Sequence, residues 1–305
     1  MLEFFPSTNI RFLGRHKVWM MLSALLVVGS IVSLSVRFLN LGIDFTGGTL
    51  VELGFNAPVE ADTVRGYLAG SQVSSAIVQN FGSPTDILVR VPHLQDVSAN
   101  QVGDIVRDLI PDSEVRRVET VGPQVGRELA ESGVLALLYA LGGILLYVII
   151  RFHWKFSVGA IAATVHDVLL TMGFFSVTGM EFDLPALAGV LAIVGYSVND
   201  TIVVFDRIRE KLRKVRKGDT VEVVNMSINE TLSRTVMTSL MTLITVVALL
   251  FLGGETIHGF AVAMVVGIII GTYSSIFVAS ATTLGLGLDR GDLAVVAKEG
   301  ADALP

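Results

Sequence analysis

The sequence contains no cysteine, so neither a disulfide framework nor a thiolate metal site is open to it. Charge is also scarce. Only 16% of the 305 residues are Asp, Glu, Lys or Arg, against 52% hydrophobic residues and a mean hydropathy of +0.67. That balance excludes an ordinary soluble domain and marks a membrane protein. Nucleotide signatures are missing too. The one glycine-rich stretch, Gly42-Ile43-Asp44-Phe45-Thr46-Gly47-Gly48-Thr49, carries no lysine and leads into a strand, whereas a phosphate-cradling loop runs from a strand into a helix. No residue set points to catalysis or to a metal, and the chain reads as a non-enzyme.

What the sequence does contain is a series of apolar runs, at 18–36, 132–150, 156–177, 184–205, 235–252 and 260–280. Each approaches the roughly 20 residues that cross about 30 Å of hydrocarbon. Six membrane spans are therefore expected. Arg11, Arg15, His16 and Lys17 precede the first run as they would in a signal peptide, but the run is too long for a signal core and no cleavage pattern follows, so it reads as a retained span. Counted on alternate sides, 15 Lys and Arg residues fall with the amino terminus and seven in the long loop 37–131, with none in the short loops 178–183 and 253–259. The positive-inside rule then puts both termini in the cytoplasm and the long loop outside.

That loop carries 13 acidic residues against seven basic ones and is long enough to fold independently. Its periodicity predicts strands at 50–55, 75–81, 86–91 and 114–121 and helices at 59–68 and 97–110, the β-α-β-β-α-β order of a ferredoxin-like α+β domain. The expected organisation is a cytoplasmic amino terminus with the first span (1–36), an external α+β domain (37–131), spans two to six (132–283) and a cytoplasmic tail (284–305). Gly47 and Gly48 after Asp44 suit a tight turn with positive φ before the first strand. Gly122-Pro123-Gln124-Val125-Gly126 reads as a linker or a hinge.

The residue most in need of a reason is Asp200, which breaks an otherwise charge-free span beside Asn199. An ionised Asp at a helix centre costs roughly 2.5–3.5 kcal/mol on insertion scales, and such acids usually face a bundle interior, a partner or a proton path. The plain alternative is a carboxyl close enough to the helix end to reach water. His166-Asp167 falls near the middle of span three. Arg234 opens span five at a depth close to that of Asp200, which makes the two candidate partners. Thr231, Thr235, Thr238, Thr242 and Thr245 share one helical stripe; they form either a packing seam whose hydroxyls bond back to their own helix or a wet stripe that relays protons. In span six Gly259, Ala263, Gly267, Gly271, Ser275 and Ala279 recur every four residues, a face for close helix packing. The basic cluster Arg207, Arg209, Lys211, Arg213, Lys214, Arg216 and Lys217 is the inside signal or, more sharply, a contact for anionic lipid or ribosomal RNA.

Residues 42–49, Gln79-Asn80-Phe81-Gly82, Val121-Gly122-Pro123, His166-Asp167-Val168, residues 195–210, Arg234-Thr235 and Gly271-Thr272-Tyr273-Ser274-Ser275 together resemble the SecF family. These are the smaller membrane subunits of bacterial SecDF protein-export complexes, similar in plan to one half of a resistance-nodulation-division exporter. The resemblance implies a multi-pass protein of the bacterial inner membrane, partnered by SecD beside the SecYEG channel, with YajC and YidC as further companions, an exported preprotein as client, membrane lipid around it and no nucleic acid. It implies use of the proton motive force in late steps of export, with no cofactor beyond protons. The family's proton-pathway residues fall on Asp200 and Arg234; His166 and Asp167 match a family pair, and Asp44 with Gly47 and Gly48 a family signature. Asn199 and Thr238 join the candidate proton-coupling set as neighbours of these residues. Two competing readings are a small-molecule or lipid exporter half and a non-transporting scaffold of the translocon. The first expects an aromatic-rich external region, whereas this loop has only Phe38, Phe45, Phe55, Tyr67 and Phe81.

Overall fold

The structure is a computed structural model that describes residues 8–94, 97–215, 219–289 and 291–293. Among the described residues, six helices are long and apolar enough to cross a membrane: Phe12–Val36, Pro123–Arg151, Trp154–Thr178, Leu184–Lys214, Thr220–Leu252 and His258–Gly285. The first is α1 (His16–Val36) with a preceding 3-10 turn, the next four are α5, α6, α7 and α8, and the last is α9 (His258–Ser274) continued by a π-helical segment (Ser275–Ala279) and α10 (Ser280–Gly285). Helices α6, α7 and α9 form the inner layer. The outer helices α1, α5 and α8 expose apolar side chains such as Met21, Leu25, Leu138, Ile150, Met241 and Phe251, as lipid-facing helices must.

The small-residue face of span six sets how closely the inner layer packs. A Cβ at Gly267 would lie 2.1 Å from Ile193, and one at Gly271 would lie 3.2 Å from Ser197, so α9 lies directly along α7. Glycines allow the same approach at Gly173, where Ser30 of α1 rests on α6. Small residues bring backbones together in lipid, where dispersion and polar contacts replace the hydrophobic drive.

Between α1 and α5 the chain builds β1 (Asn40–Leu41), α2 (Ile43–Thr46), β2 (Gly48–Phe55), α3 (Ala61–Leu68), β3 (Ile77–Phe81), β4 (Ser83–Val91), α4 (Ala99–Leu109) and β5 (Ser113–Val121). From β2 onward this is the β-α-β-β-α-β order expected from the periodicity. The sheet order is β3-β4-β2-β5 with every neighbour antiparallel, so β2 and β3 run parallel with β4 between them, the split arrangement. Val51, Leu53, Val64, Ile87, Val89, Val102 and Val106 fill its core. Ser98 and Gln101 form a capping box at the start of α4.

Several boundaries differ from the sequence expectation, three of them for a clear local reason. The predicted linker 122–126 is helix: Gly122 is the N-cap and Pro123 occupies the first turn of α5, where its missing N–H is harmless. Helix α8 begins at Thr220, ahead of the apolar run expected from 235, and its first four turns are amphipathic; Asn225 and Asn229 there hold the backbone of Leu13 and Ile10 at 2.8–3.0 Å. A single residue, Gly82 at φ +67°, joins β3 to β4, so Ser83-Pro84-Thr85 lie in the strand instead of in a turn. Within the predicted tail, residues 294–305 lie outside the described residues, as do Arg216 and Lys217 of the basic cluster.

Candidate functional site

Asp200 lies on the face of α7 that packs against α8 and α9, and is 3% exposed. Its Oδ2 accepts one long hydrogen bond, 3.4 Å, from Ser239 Oγ of α8. Ser239 is bonded in turn to Thr272 Oγ1 of α9 at 2.8 Å, and Thr272 donates to the Ile268 carbonyl at 2.7 Å. No cation forms an ion pair with Asp200 among the described residues. A buried carboxylate held by one distant hydroxyl is an expensive arrangement in an apolar surround.

The expected pairing of Asp200 with Arg234 is not formed. Ser239 is the residue of α8 that meets Asp200, and Arg234 precedes it by five positions, about 140° round a helix of 3.6 residues per turn. Arg234 is consequently exposed, and so is Thr238. The threonine stripe is covered at Thr231 and Thr235 and open at Thr238 and Thr245. Thr238, Thr242 and Thr245 donate back to carbonyls of their own helix at 2.9–3.1 Å, which satisfies hydroxyls facing lipid or a partner. Asn199, about 100° round α7 from Asp200, is also exposed.

Asp167 has far more support. It is 1% exposed on α6, and its Oδ1 lies 2.9 Å from His166 Nδ1. Its Oδ2 accepts from Ser274 Oγ of α9 at 2.7 Å and also from Ser197 Oγ of α7. Three spans thus meet on one carboxylate. His166 stacks on Tyr273 with ring centroids 6.2 Å apart, and the Tyr273 hydroxyl reaches α1 through Ser23 at 2.9 Å and the Trp19 carbonyl at 3.0 Å. The π-helical segment begins immediately after Ser274, and such bulges recur where a helix re-aims side chains at functional sites. Ser197, which donates to Asp167, precedes Asp200 by three residues, about 4.5 Å of helix rise, so the Asp167 carboxyl of α6 meets α7 one turn from Asp200. His166 Nε2 and the hydroxyls of Tyr196, Thr201 and Thr235 are buried around them without a protein partner. An unmet buried polar atom costs about 1–3 kcal/mol, which makes this the polar centre of the bundle.

A third cluster sits where the α+β domain joins the spans. Strand β6 (Glu181–Phe182), in the loop between α6 and α7, pairs in parallel with β1, and the Gly42 amide donates to the Phe182 carbonyl at 2.9 Å. Asp44 Oδ2 accepts from the Leu184 amide at 2.9 Å, and Asp183 Oδ1 caps the same helix through the Ala186 amide at 2.7 Å. Carboxylates at a helix N-terminus meet its unpaired N–H groups and its dipole. From the domain, Arg90 of β4 is 6% exposed and reaches Glu181 at 2.6 Å, the Leu41 carbonyl at 2.7 Å and Asn40 at 3.2 Å. Gln79 of β3 adds a bond to Glu181 at 3.0 Å.

The signature glycines have the positive φ their turn requires, +72° at Gly47 and +130° at Gly48. Asp44 itself lies in a short helix, α2, rather than in an open turn. A Cβ on Gly47 would stand 2.8 Å from Pro123 Cα, and one on Gly126 would stand 2.9 Å from the Gly47 nitrogen, so α2 and the start of α5 pack backbone to backbone. Sequence reasoning missed Ser197, Ser239, Ser274, Arg90 and Glu181. Ser197 could have been noticed three residues before Asp200 on the same helix; nothing local marks Ser239, Ser274, Arg90 or Glu181.

The family profile described as "Protein export membrane protein SecD/SecF, C-terminal" matches residues 101–289, and the "SecD/SecF GG Motif" profile matches residues 32–59. The protein translocase subunit SecF of Vibrio alginolyticus is 48% identical over 96% of this chain and 96% of its own. The crystal structure of SecDF, a translocon-associated membrane protein from Thermus thermophilus, superposes with a TM-score of 0.84 at 42% identity, covering 94% of this chain and 39% of that one. A crystal structure of SecDF in a super-membrane-facing form, again 42% identical, covers 94% of this chain and 40% of its own with a TM-score of 0.68. This chain therefore spans about two-fifths of each of those two SecDF chains. Identity and coverage are the same or nearly so in the two superpositions, so the gap in score is a difference of shape and not of relatedness.

Proposed function

Since this chain belongs to the SecD/SecF family of protein export membrane proteins, we propose that it is the six-span subunit of a SecDF-type assembly which passes protons by Asp200 and turns their passage into movement of the α+β domain during late steps of export. The observation that carries this reading is a buried carboxyl in α7 with, among the described residues, no ion pair and a single distant hydroxyl donor. Such a group is poised between two arrangements, protonated in an apolar setting or ionised with a cation brought to it. Arg234, on the open face of α8, is the cation within reach of a modest rotation or of a partner's approach. The buried polar atoms without protein partners around Asp167 and Asp200 provide the hydrogen-bonding sites that a proton path requires.

The same helix links this chemistry to the domain. Asp200 lies 16 residues from Leu184, about 24 Å along a rigid rod, and the Leu184 end is held by Asp44 and, through β6, by Arg90. A shift of α7 at Asp200 reaches the sheet through these contacts. In this reading the domain is extracytoplasmic, both termini are cytoplasmic, SecD covers the open polar face of α8, and SecYEG, with YajC and YidC, presents the preprotein. A full 100 mV supplies about 2.3 kcal/mol per proton crossing, comparable to one buried hydrogen bond to a charged group.

Inverted membrane vesicles test the proposal. Preprotein translocation that speeds up on energisation with the native chain should lose that acceleration with Asp200→Asn while its ATP-driven part persists. An unchanged response to the proton motive force would remove proton coupling and leave the scaffold reading standing.

A further inference from the structure

At the end of the bundle away from the α+β domain, a cavity of 340 Å³ lies between the last turns of α5 and α7, lined by Arg151, Asp206, Arg209, Glu210, Arg213 and Lys214. Four cations face two carboxylates, and both carboxylates are already engaged. Asp206 meets Arg151 at 3.1 Å, and Glu210 meets Arg207 and Lys214 at 2.6 Å each. Lys211 and Arg207 meet Glu230 of α8. That leaves Arg209, half-buried, and Arg213, one turn further on the same face, with no carboxylate partner among the described residues. A general excess of cations explains why this end of the molecule is basic. It does not explain why two unpaired guanidiniums converge on one cavity while their neighbours are neutralised.

The surroundings set the depth of this cavity. The last turns of α5 expose Tyr147, Ile149 and Ile150, and Trp154 is exposed at the start of α6. An apolar wall ending in an aromatic residue marks the boundary between hydrocarbon and headgroups, and that wall ends at Arg151, which lines the cavity. We propose that the cavity binds the phosphate of an anionic phospholipid, with Arg209 and Arg213 on the phosphate oxygens and the acyl chains along the exposed face of α5. Guanidinium forks match phosphate geometry and keep their charge at the interface. A zwitterionic headgroup would carry its own cation into a site already holding four.

Native mass spectrometry of the full chain, titrated separately with phosphatidylglycerol and phosphatidylcholine, reads the site. Replacing both arginines, Arg209→Gln with Arg213→Gln, is expected to weaken phosphatidylglycerol binding about thirtyfold and to leave phosphatidylcholine binding unchanged. A second pair, Arg15→Gln with Lys17→Gln, removes two exposed cations at the same end of the bundle. Equal loss in that pair would mean diffuse interfacial charge and overturn the site, as would unchanged binding in the first pair. Inorganic phosphate that displaces the lipid at equal concentration would reassign the cavity to a soluble anion and overturn the lipid assignment. Should the glutamine pair lower the folded yield, Arg209→Lys with Arg213→Lys keeps the charge and removes the forks; unaltered phosphatidylglycerol affinity in that variant would also overturn the proposal.

Discussion

Replacing Arg90 by alanine should release the α+β domain from the Leu184 end of α7 without unfolding either. Among the described residues, Arg90 is the one domain side chain that bonds β1 and Glu181 at once, through contacts of 2.6–3.2 Å. Removing one member of a buried ion pair costs about 3–5 kcal/mol. The lower value applies here, because the Glu181 side chain keeps 19% of its surface in water and retains Gln79 as a donor. About 3 kcal/mol, applied to local opening of the β1–β6 pair, accelerates amide exchange there about 150-fold. Hydrogen exchange of the full chain in mild detergent reads this at Gly42, whose amide bonds Phe182, and at Leu184, whose amide bonds Asp44. Amides of the central strand β2 serve as the internal reference. Acceleration below about fivefold at Gly42 and Leu184 would refute the idea that Arg90 fastens the junction, and equal acceleration in β2 would show a general loss of domain stability instead. Glu181→Gln in the same background should add little, since the two groups share one interaction.

Three further outcomes follow from the geometry. Gly47→Ala places a side chain at φ +72° and 2.8 Å from Pro123 Cα, so it should destabilise the folded chain by at least the roughly 1–2 kcal/mol that the left-handed region costs an L-residue, seen as a lower thermal midpoint; an unchanged midpoint would mean that α2 and α5 are not in backbone contact. Burial first, and then the nearby carboxyls of Glu181 and Asp44, hold the Asp183 carboxyl at about 6 against an ordinary 3.8, partly offset by the Ala186 amide. Between those values the folded chain binds more protons than the unfolded one, so stability should fall as pH rises through that window, by up to about 3 kcal/mol. Asp183→Asn keeps the helix cap and should flatten the profile, and an equally steep profile in the variant would place the titrating group elsewhere. Asp167→Asn preserves an acceptor for Ser197 and Ser274, whereas Asp167→Ala leaves the Ser197 hydroxyl unmet and Ser274 with only the Gly271 carbonyl, so the alanine variant should be less stable by about 2 kcal/mol; equal melts for the two would show that Ser197 does not depend on Asp167.

The spans and the domain order were legible because they rest on short-range patterns. Charge-free runs and period-two alternation depend only on neighbours in sequence, and the small-residue repeat of span six indicated a close helix contact, which the structure makes with α7. The start of α8 was less visible, since its first turns are amphipathic and held by two asparagines rather than by lipid. At the site, Asp200, His166 and Asp167 stood out because an ionisable group in an apolar run is locally anomalous. Their partners did not, because Ser197, Ser239 and Ser274 come from other helices and are unremarkable in their own. Depth alone suggested Arg234 as the partner of Asp200, but depth carries no rotational phase, and the five positions from Arg234 to Ser239 leave Arg234 on the exposed face of α8. The two-residue pairing of β1 with β6 joins positions about 140 residues apart, and no local pattern announces it.

The central claim is that Asp200 gains and loses a proton as the molecule works. Infrared difference spectroscopy on the full chain with its partner in proteoliposomes, recorded while a pH gradient is imposed and collapsed, observes that carboxyl directly. Proton coupling through Asp200 predicts a protonated-carboxyl band that follows the gradient in the native chain and is absent from Asp200→Asn. The same band, unchanged in that variant, would contradict it.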